Sequence, residues 1–281
     1  MSAGTPEAST AAPGSGARLP ARLSALAALG AAVVIWLALL GPLGALLDHL
    51  SFGGIRHALN TPQALQPLVI SLEASTIALV VLVTAGTPLA WMMARRRLPA
   101  PRLFEAGVIL PLLMPPLVIG LLLVFMAGPA TPVGGLLARV HLSASNTFFA
   151  LVLAEVYEAA PYYVLGAEAA FAGVDHHLEQ NAALLGDSFA RSFRRITLPL
   201  AAPGLAVALA TGWARAMGAF GAVLIIAYHP YGLPMQIWTT LQESGLARAL
   251  PFALLLLVVA LPLPVLAYLW SARSRTSPAA R

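Results

Sequence analysis

Glu73, Glu155, Glu158, Glu168 and Arg215 are ionisable side chains inside long apolar stretches of this sequence. A charge held in apolar surroundings is costly, so such groups are the first candidates for function. Glu155 and Glu158, three residues apart, share one helical face. That face admits two readings: it could relay protons in a carrier, or it could pair with Arg215 and nearby hydroxyls and hold a helix bundle together. Arg215 stands about a dozen residues past Pro203, which at the helical rise places it near the middle of a span. There it could offer a passing anion a positive field.

Other chemistries find no foothold. His49, His57, His141, His176, His177 and His229 show no metal-ligand spacing of the HExxH kind. The phosphate-cradling pattern GxxxxGK[ST] and the nucleophile pattern GxSxG are both absent. With no cysteine, disulfides, thiolate metal sites and cysteine nucleophiles are excluded. The chain is therefore expected to be no enzyme and to hold neither metal nor cofactor. Tyr157, Tyr162 and Tyr163 read as packing or interface aromatics. Gly212, Gly218 and Gly221 would let helices approach closely.

The elements that must position these residues are membrane spans. The chain of 281 residues is 59% hydrophobic and only 10% charged, with a mean hydropathy of +0.83. Soluble domains carry roughly 25% charged residues. The formal charge is +5 and all 16 basic residues are arginine, but they cluster between apolar runs as topology signals do, which argues against nucleic acid. Six apolar stretches can each cross a bilayer core of about 30 Å: Leu23–Leu47, Leu68–Ala94, Leu103–Gly128, Asn146–Phe171, Leu198–Tyr228 and Leu250–Ala272. Pro88, Pro111, Pro115, Pro116, Pro161, Pro262 and Pro264 inside them predict kinks. Placing the N-terminus in the cytoplasm puts Arg18, Arg22, Arg95, Arg96, Arg97, Arg102, Arg191, Arg194, Arg195, Arg273, Arg275 and Arg281 inside, and only Arg56, Arg139 and Arg248 outside. Both termini are therefore expected to be cytoplasmic. The first run is too long for a cleaved leader. The expected organisation is a disordered tail over 1–22, a membrane domain over 23–272 and a cytoplasmic tail over 273–281.

Between the fourth and fifth spans, at about 173–197, lies GVDHHLEQNAALLGDSFARSFRRI. Leu178, Ala182, Leu185, Phe189 and Phe193 recur at helical spacing there, with Gly186 as a break. This predicts one or two short amphipathic helices that lie on the membrane, cap the bundle or dock into a partner's groove.

The same segment carries a family resemblance. Gly186, Ile196, Leu198 and Pro199 stand on the spacing of the cytoplasmic signature of binding-protein-dependent ATP-binding-cassette importer permeases. That signature is an acidic-alanine head, a glycine, nine residues, and Ile-x-Leu-Pro. The head here reads Glu179, Gln180, Asn181, Ala182 and Ala183 in place of a clean Glu-Ala-Ala. Over about 65–270 the chain resembles the sulfate/molybdate/tungstate branch: PLLMPPLVIGLLL, with Pro115 and Pro116, looks like its hinged third span. AEVYEAAPYYV looks like its fourth span, and WARAMGAFGAVLIIAYHPYGLP like its fifth. Where that branch usually has Gly-Glu-Phe-Gly, this chain has Gly218, Ala219, Phe220 and Gly221.

The resemblance implies an all-α membrane protein of about six helices with a coupling helix between helices 4 and 5, the type I importer fold. It implies a multi-pass permease of the bacterial plasma (inner) membrane, working as a homodimer in membrane lipid. Two cytoplasmic ATPases would bind ATP and magnesium, and an extracytoplasmic binding protein would deliver the substrate. Molybdate or tungstate is the cargo implied, with sulfate, ferric iron and thiamine carried by relatives on the same scaffold. Residues expected to couple to the ATPase are Leu178, Glu179, Ala182, Ala183, Leu185, Gly186, Phe189, Ile196, Leu198 and Pro199. Those expected along the pathway are Arg215, Gly218, Phe220, Glu155, Glu158, Pro115 and Pro116. The rival from another class is a proton-coupled carrier built on Glu155 and Glu158.

Overall fold

The computed structural model describes residues 18–48 and 62–275, with side chains placed at 26–46 and 65–273. The expected tail up to residue 17, the loop residues His49, Arg56 and His57, and the C-terminal residues 276–281 lie outside the described residues. Every regular element among the described residues is helical, as a bilayer requires of segments that must satisfy their own backbone hydrogen bonds. They divide into two bodies, a single helix and a bundle.

The single helix, α1, runs Arg18–Asp48, and its stretch Leu26–Leu46 has the length and apolarity to cross a membrane. It begins at Arg18, inside the stretch 1–22 expected to be a tail. Arg22 is therefore helical, and Pro20 sits among the first N–H groups, which have no intrahelical acceptor in any case.

In the bundle, α2 (Pro62–Val81) passes through a single π-turn, Leu82–Gly86, into α3 (Thr87–Ala94). Next come α4 (Pro101–Leu113), α5 (Pro116–Ala127), α6 (Pro132–Arg139) and the long α7 (Phe148–Ala172). After α8 (His176–Leu184) and the short α9 (Phe189–Ser192), a second π-turn, Phe193–Thr197, leads into α10 (Leu198–Met217). The chain ends through α11 (Gly221–Ile226), α12 (Leu233–Ser244), α13 (Leu246–Ala260) and α14 (Pro262–Arg275).

Proline sets the irregularities. Each π-turn ends two residues before a proline, Pro88 in one case and Pro199 in the other. A proline ring removes one helical donor and crowds the carbonyl four residues back, and a wider turn absorbs the misfit. The expected third span, Leu103–Gly128, is two helices rather than one. Met114 and Pro115 are extended, with ψ of 140° and 136°, because a residue before proline is pushed out of the helical region. The bent pair α5 and α6, at 68°, passes for a span by length and composition. The expected fifth span is also divided, at Gly218–Phe220, and the sixth at Leu261 before Pro262. Helix α12 lies between the expected fifth and sixth spans; its start is fixed where Leu233 N donates to Ser71 Oγ of α2 at 2.8 Å.

Helix α7 is the centre of the bundle, packed against α2, α3, α4, α10 and α11. Its contact with α10 runs through small residues: Gly166 faces Ala208 and Gly204 faces Ala170. A Cβ on Gly204 would stand 2.6 Å from that of Ala170. Without a hydrophobic drive between helices in lipid, such close backbone approach is what holds them.

Candidate functional site

At the arginine-rich end, the side chains of α8 divide between two directions. Asp175 caps its start, accepting from His177 N at 2.9 Å. One turn on, Glu179 points into the bundle and receives a two-pronged contact from Arg95, the residue that closes α3. Arg95 Nη2 donates to Oε1 at 2.7 Å and Nε to Oε2 at 3.2 Å. Arg95 Nη1 also reaches the carbonyls of Phe171 and Val174, both at 3.2 Å. Thr197 Oγ1, at the end of the second π-turn, donates to the same Glu179 Oε1 at 2.6 Å. The two charged side chains are 5% and 11% exposed, and His176 Nδ1 lies 3.4 Å from Oε2. Burial pushes the Glu179 carboxyl up, but the hydrogen bonds from Arg95 and Thr197 and the Arg95 charge outweigh it and hold the group below its ordinary value. A lowered folded-state value stabilises the fold above the ordinary carboxylate pKa and is lost as pH falls through the lower one.

The far end of α8 faces outward. Gly186 takes a φ of +87°, its N–H bonds Ala183 O at 3.0 Å, and Asp187 N bonds Ala182 O at 3.0 Å. That pair of bonds is a Schellman closure, whose left-handed position suits glycine. Beside it Leu184 and Leu185 are 86% and 89% exposed, a placement that water alone would disfavour. The expected single apolar stripe is therefore divided. Ala182 is buried and Phe193 half-buried, while Leu178, Ala183, Leu185 and Phe189 are exposed. Phe189 packs on Trp91 at 4.9 Å between centroids, and the Arg97 guanidinium lies 4.6 Å over the Trp91 ring. Ile196 is half-buried, and Leu198 and Pro199 are exposed at the start of α10.

Within the bundle, Glu158 and Arg215 form an ion pair, Nη2 to Oε2 at 2.6 Å, with side chains 0% and 28% exposed. The other oxygen of Glu158 accepts from Ala222 N at 3.0 Å, so it also binds an N–H in the first turn of α11, where a carboxylate is favoured. Glu155 accepts from Ser75 Oγ of α2 at 2.9 Å. Of the two readings of this helical face, the geometry matches structural pairing. The positive field expected of Arg215 is compensated at contact distance. Gly218 ends α10, Phe220 precedes α11 and packs on Trp238 at 5.6 Å. A Cβ on Gly221 would stand 2.5 Å from that of Pro116. The structure thus gathers Arg215, Gly218, Phe220, Glu158 and Pro116 where α10, α11, α7 and α5 meet. Glu155 belongs to a neighbouring contact with α2. Glu73 is exposed and Glu168 half-buried.

At the opposite end a cavity of about 490 Å³ is lined in part by Gln66, Asn146, His229, Tyr231 and Gln236, with the Glu243 carboxylate close enough to act on Tyr231. Sequence reading missed Arg95, Thr197, Ser75 and Leu184. Arg95 was visible only as one of a basic cluster, and Thr197 as the residue before the Leu-Pro pair; nothing local joins either to Glu179, which is 84 residues from Arg95.

Comparison with known proteins gives a consistent result. Residues 86–276 match the family described as binding-protein-dependent transport system inner membrane component. A probable molybdenum ABC transporter permease protein of Haloferax volcanii is 38% identical over 242 residues, covering 86% of this chain and 88% of that protein. A molybdate/tungstate transport system permease protein of Thermococcus kodakarensis is 29% identical, covering 72% and 77%. The molybdenum transport system permease protein of Escherichia coli K12 is 32% identical, covering 70% and 90%. In structure the chain resembles a subunit of a bacterial alginate ABC transporter solved with a pentasaccharide-bound periplasmic protein. The TM-score is 0.67 at 18% identity, over 91% of this chain and 96% of that one; at that identity the likeness concerns the fold.

Proposed function

Since the chain belongs to the family of binding-protein-dependent transport system inner membrane components, we propose that it forms the membrane pathway of an ATP-driven importer of molybdate or tungstate. The observation that carries the substrate is the likeness to a molybdenum permease over 86% of the chain. In this reading two copies pair in the bilayer, two ATPases dock from the cytoplasm and bind ATP and magnesium, and a binding protein delivers the anion from the other side. The exposed tip of α8, with Leu184, Leu185 and the left-handed Gly186, has the form of a docking element. The arginine bias puts that tip in the cytoplasm together with both termini.

On the other side, the cavity around Gln66, Asn146 and Gln236 offers side-chain amide donors, groups from which an oxyanion can accept hydrogen bonds. The pathway itself need not hold the anion tightly, which agrees with an Arg215 already paired to Glu158. The chemistry of ATP hydrolysis would belong to the partner. A proton-coupled carrier gains no support, because Glu155 and Glu158 are both engaged, by Ser75 and by Arg215 with Ala222.

The test is co-purification with the neighbouring ATPase, then ATP hydrolysis in liposomes with binding protein loaded with molybdate, tungstate or sulfate. Stimulation by the molybdate- or tungstate-loaded form is expected. Stimulation by the sulfate-loaded form alone would redirect the substrate. A permease that binds no ATPase yet moves solute down a proton gradient would overturn the reading.

A further inference from the structure

We infer that Arg95 and Glu179 form a positioning strut that fastens the docking helix α8 to the ends of α3 and α7 and the start of α10, so that a displacement of its tip reaches all three as one unit. The inference rests on the importer reading for its purpose but on local geometry for its content. One guanidinium spans three elements: its Nε and Nη2 hold the Glu179 carboxylate, and its Nη1 holds the carbonyls of Phe171 and Val174 where α7 ends. The carboxylate in turn holds Thr197 Oγ1, two residues before the proline that opens α10. Both charged groups are nearly buried, so solvent screens the pair little and its fork geometry restricts how α8 can tilt.

The tip is the opposite. A Cβ at Gly186 would meet nothing within 4 Å, and Leu184 and Leu185 are the most exposed leucines of the segment. One end of α8 is thus open to a partner and the other is clamped. The Glu179 carboxylate is consumed inside the chain rather than offered outward. Neither member touches a pathway residue, so both act through the helices they join. Lysine at 95 would keep the charge but lacks the planar fork that serves the carboxylate and both carbonyls together.

Arg95→Leu, Arg95→Lys, Glu179→Gln and the double variant Arg95→Leu/Glu179→Gln separate a strut from a merely structural contact. The measured quantity is anion taken up per ATP hydrolysed by the full complex, which a simple loss of folded protein does not alter. Each single variant is expected to lower that ratio at least about tenfold, Arg95→Lys least, and the double no further than the worse single, as one unit requires. An unchanged ratio, additive losses, or loss of assembly with the ATPase in every variant would overturn the strut.

Amide hydrogen exchange on the permease alone supplies a readout independent of transport. Glu179→Gln is expected to speed exchange at the end of α3 around Arg95. Unchanged exchange there overturns the strut whatever the uptake. Faster exchange, in a wild-type complex that performs no ATP-driven uptake, would leave the strut standing and the importer reading failed.

Discussion

At the scale of single residues, Glu158 and Arg215 neutralise each other inside the bundle. Glu158 has two partners, the Arg215 guanidinium and the Ala222 N–H, and removing one member of such a pair strands the other. Glu158→Gln or Arg215→Gln alone should cost about 3–5 kcal/mol of unfolding free energy in mild detergent, the usual range for breaking a buried pair. The double variant should recover at least half of that loss, since it strands no charge. Denaturant titration of the three proteins checks this. Transport by surviving Arg215→Gln complexes decides whether the residue also serves the anion: normal uptake would make its role purely structural.

At the scale of elements, two glycines do unlike work. Gly186 supplies a left-handed turn in open space, so Gly186→Asp strains only the closure of α8, by about 1–2 kcal/mol. It is expected to leave the bundle folded while lowering uptake per ATP at least about tenfold, because it re-aims the exposed tip. A variant with normal ATP-driven uptake would remove Gly186 from the coupling assignment. Gly204 instead lets α10 approach α7. Gly204→Val should overpack that contact at a cost of about 1–3 kcal/mol, seen as a lowered thermal midpoint in detergent. Proline writes several other element boundaries, in a form the sequence displays. Pro88 and Pro199 each follow a π-turn, Pro115 and Pro116 divide the third span, and Pro262 follows the break at Leu261.

At the scale of the whole molecule, orientation is the testable property. The chain has no cysteine, so single cysteines report without background. In right-side-out vesicles carrying the permease alone, Leu136→Cys on the exposed face of α6 should react with an impermeant maleimide added outside. Ala190→Cys on α9, also exposed, should react only after permeabilisation. The reverse pattern would invert the topology drawn from arginine bias.

What the sequence determined by itself is the set of properties that composition and spacing carry: a helical membrane chain, about six apolar stretches, and a Gly186 to Pro199 register that resembles the signature of importer permeases. These are legible because a bilayer forces each span to satisfy its backbone internally, leaving a long apolar run as its mark. The structure alone decided which residues meet. Glu179 turns inward to Arg95 and Thr197, Leu184 and Leu185 turn outward, and Glu158 joins Arg215 to the start of α11. The helix α12, between the expected fifth and sixth spans, was hidden because its run of mixed polarity falls short of a span. Pairings across 84 or 57 residues leave no local trace, since side-chain contact depends on how helices pack, and that is settled by the whole set of small residues and prolines acting together.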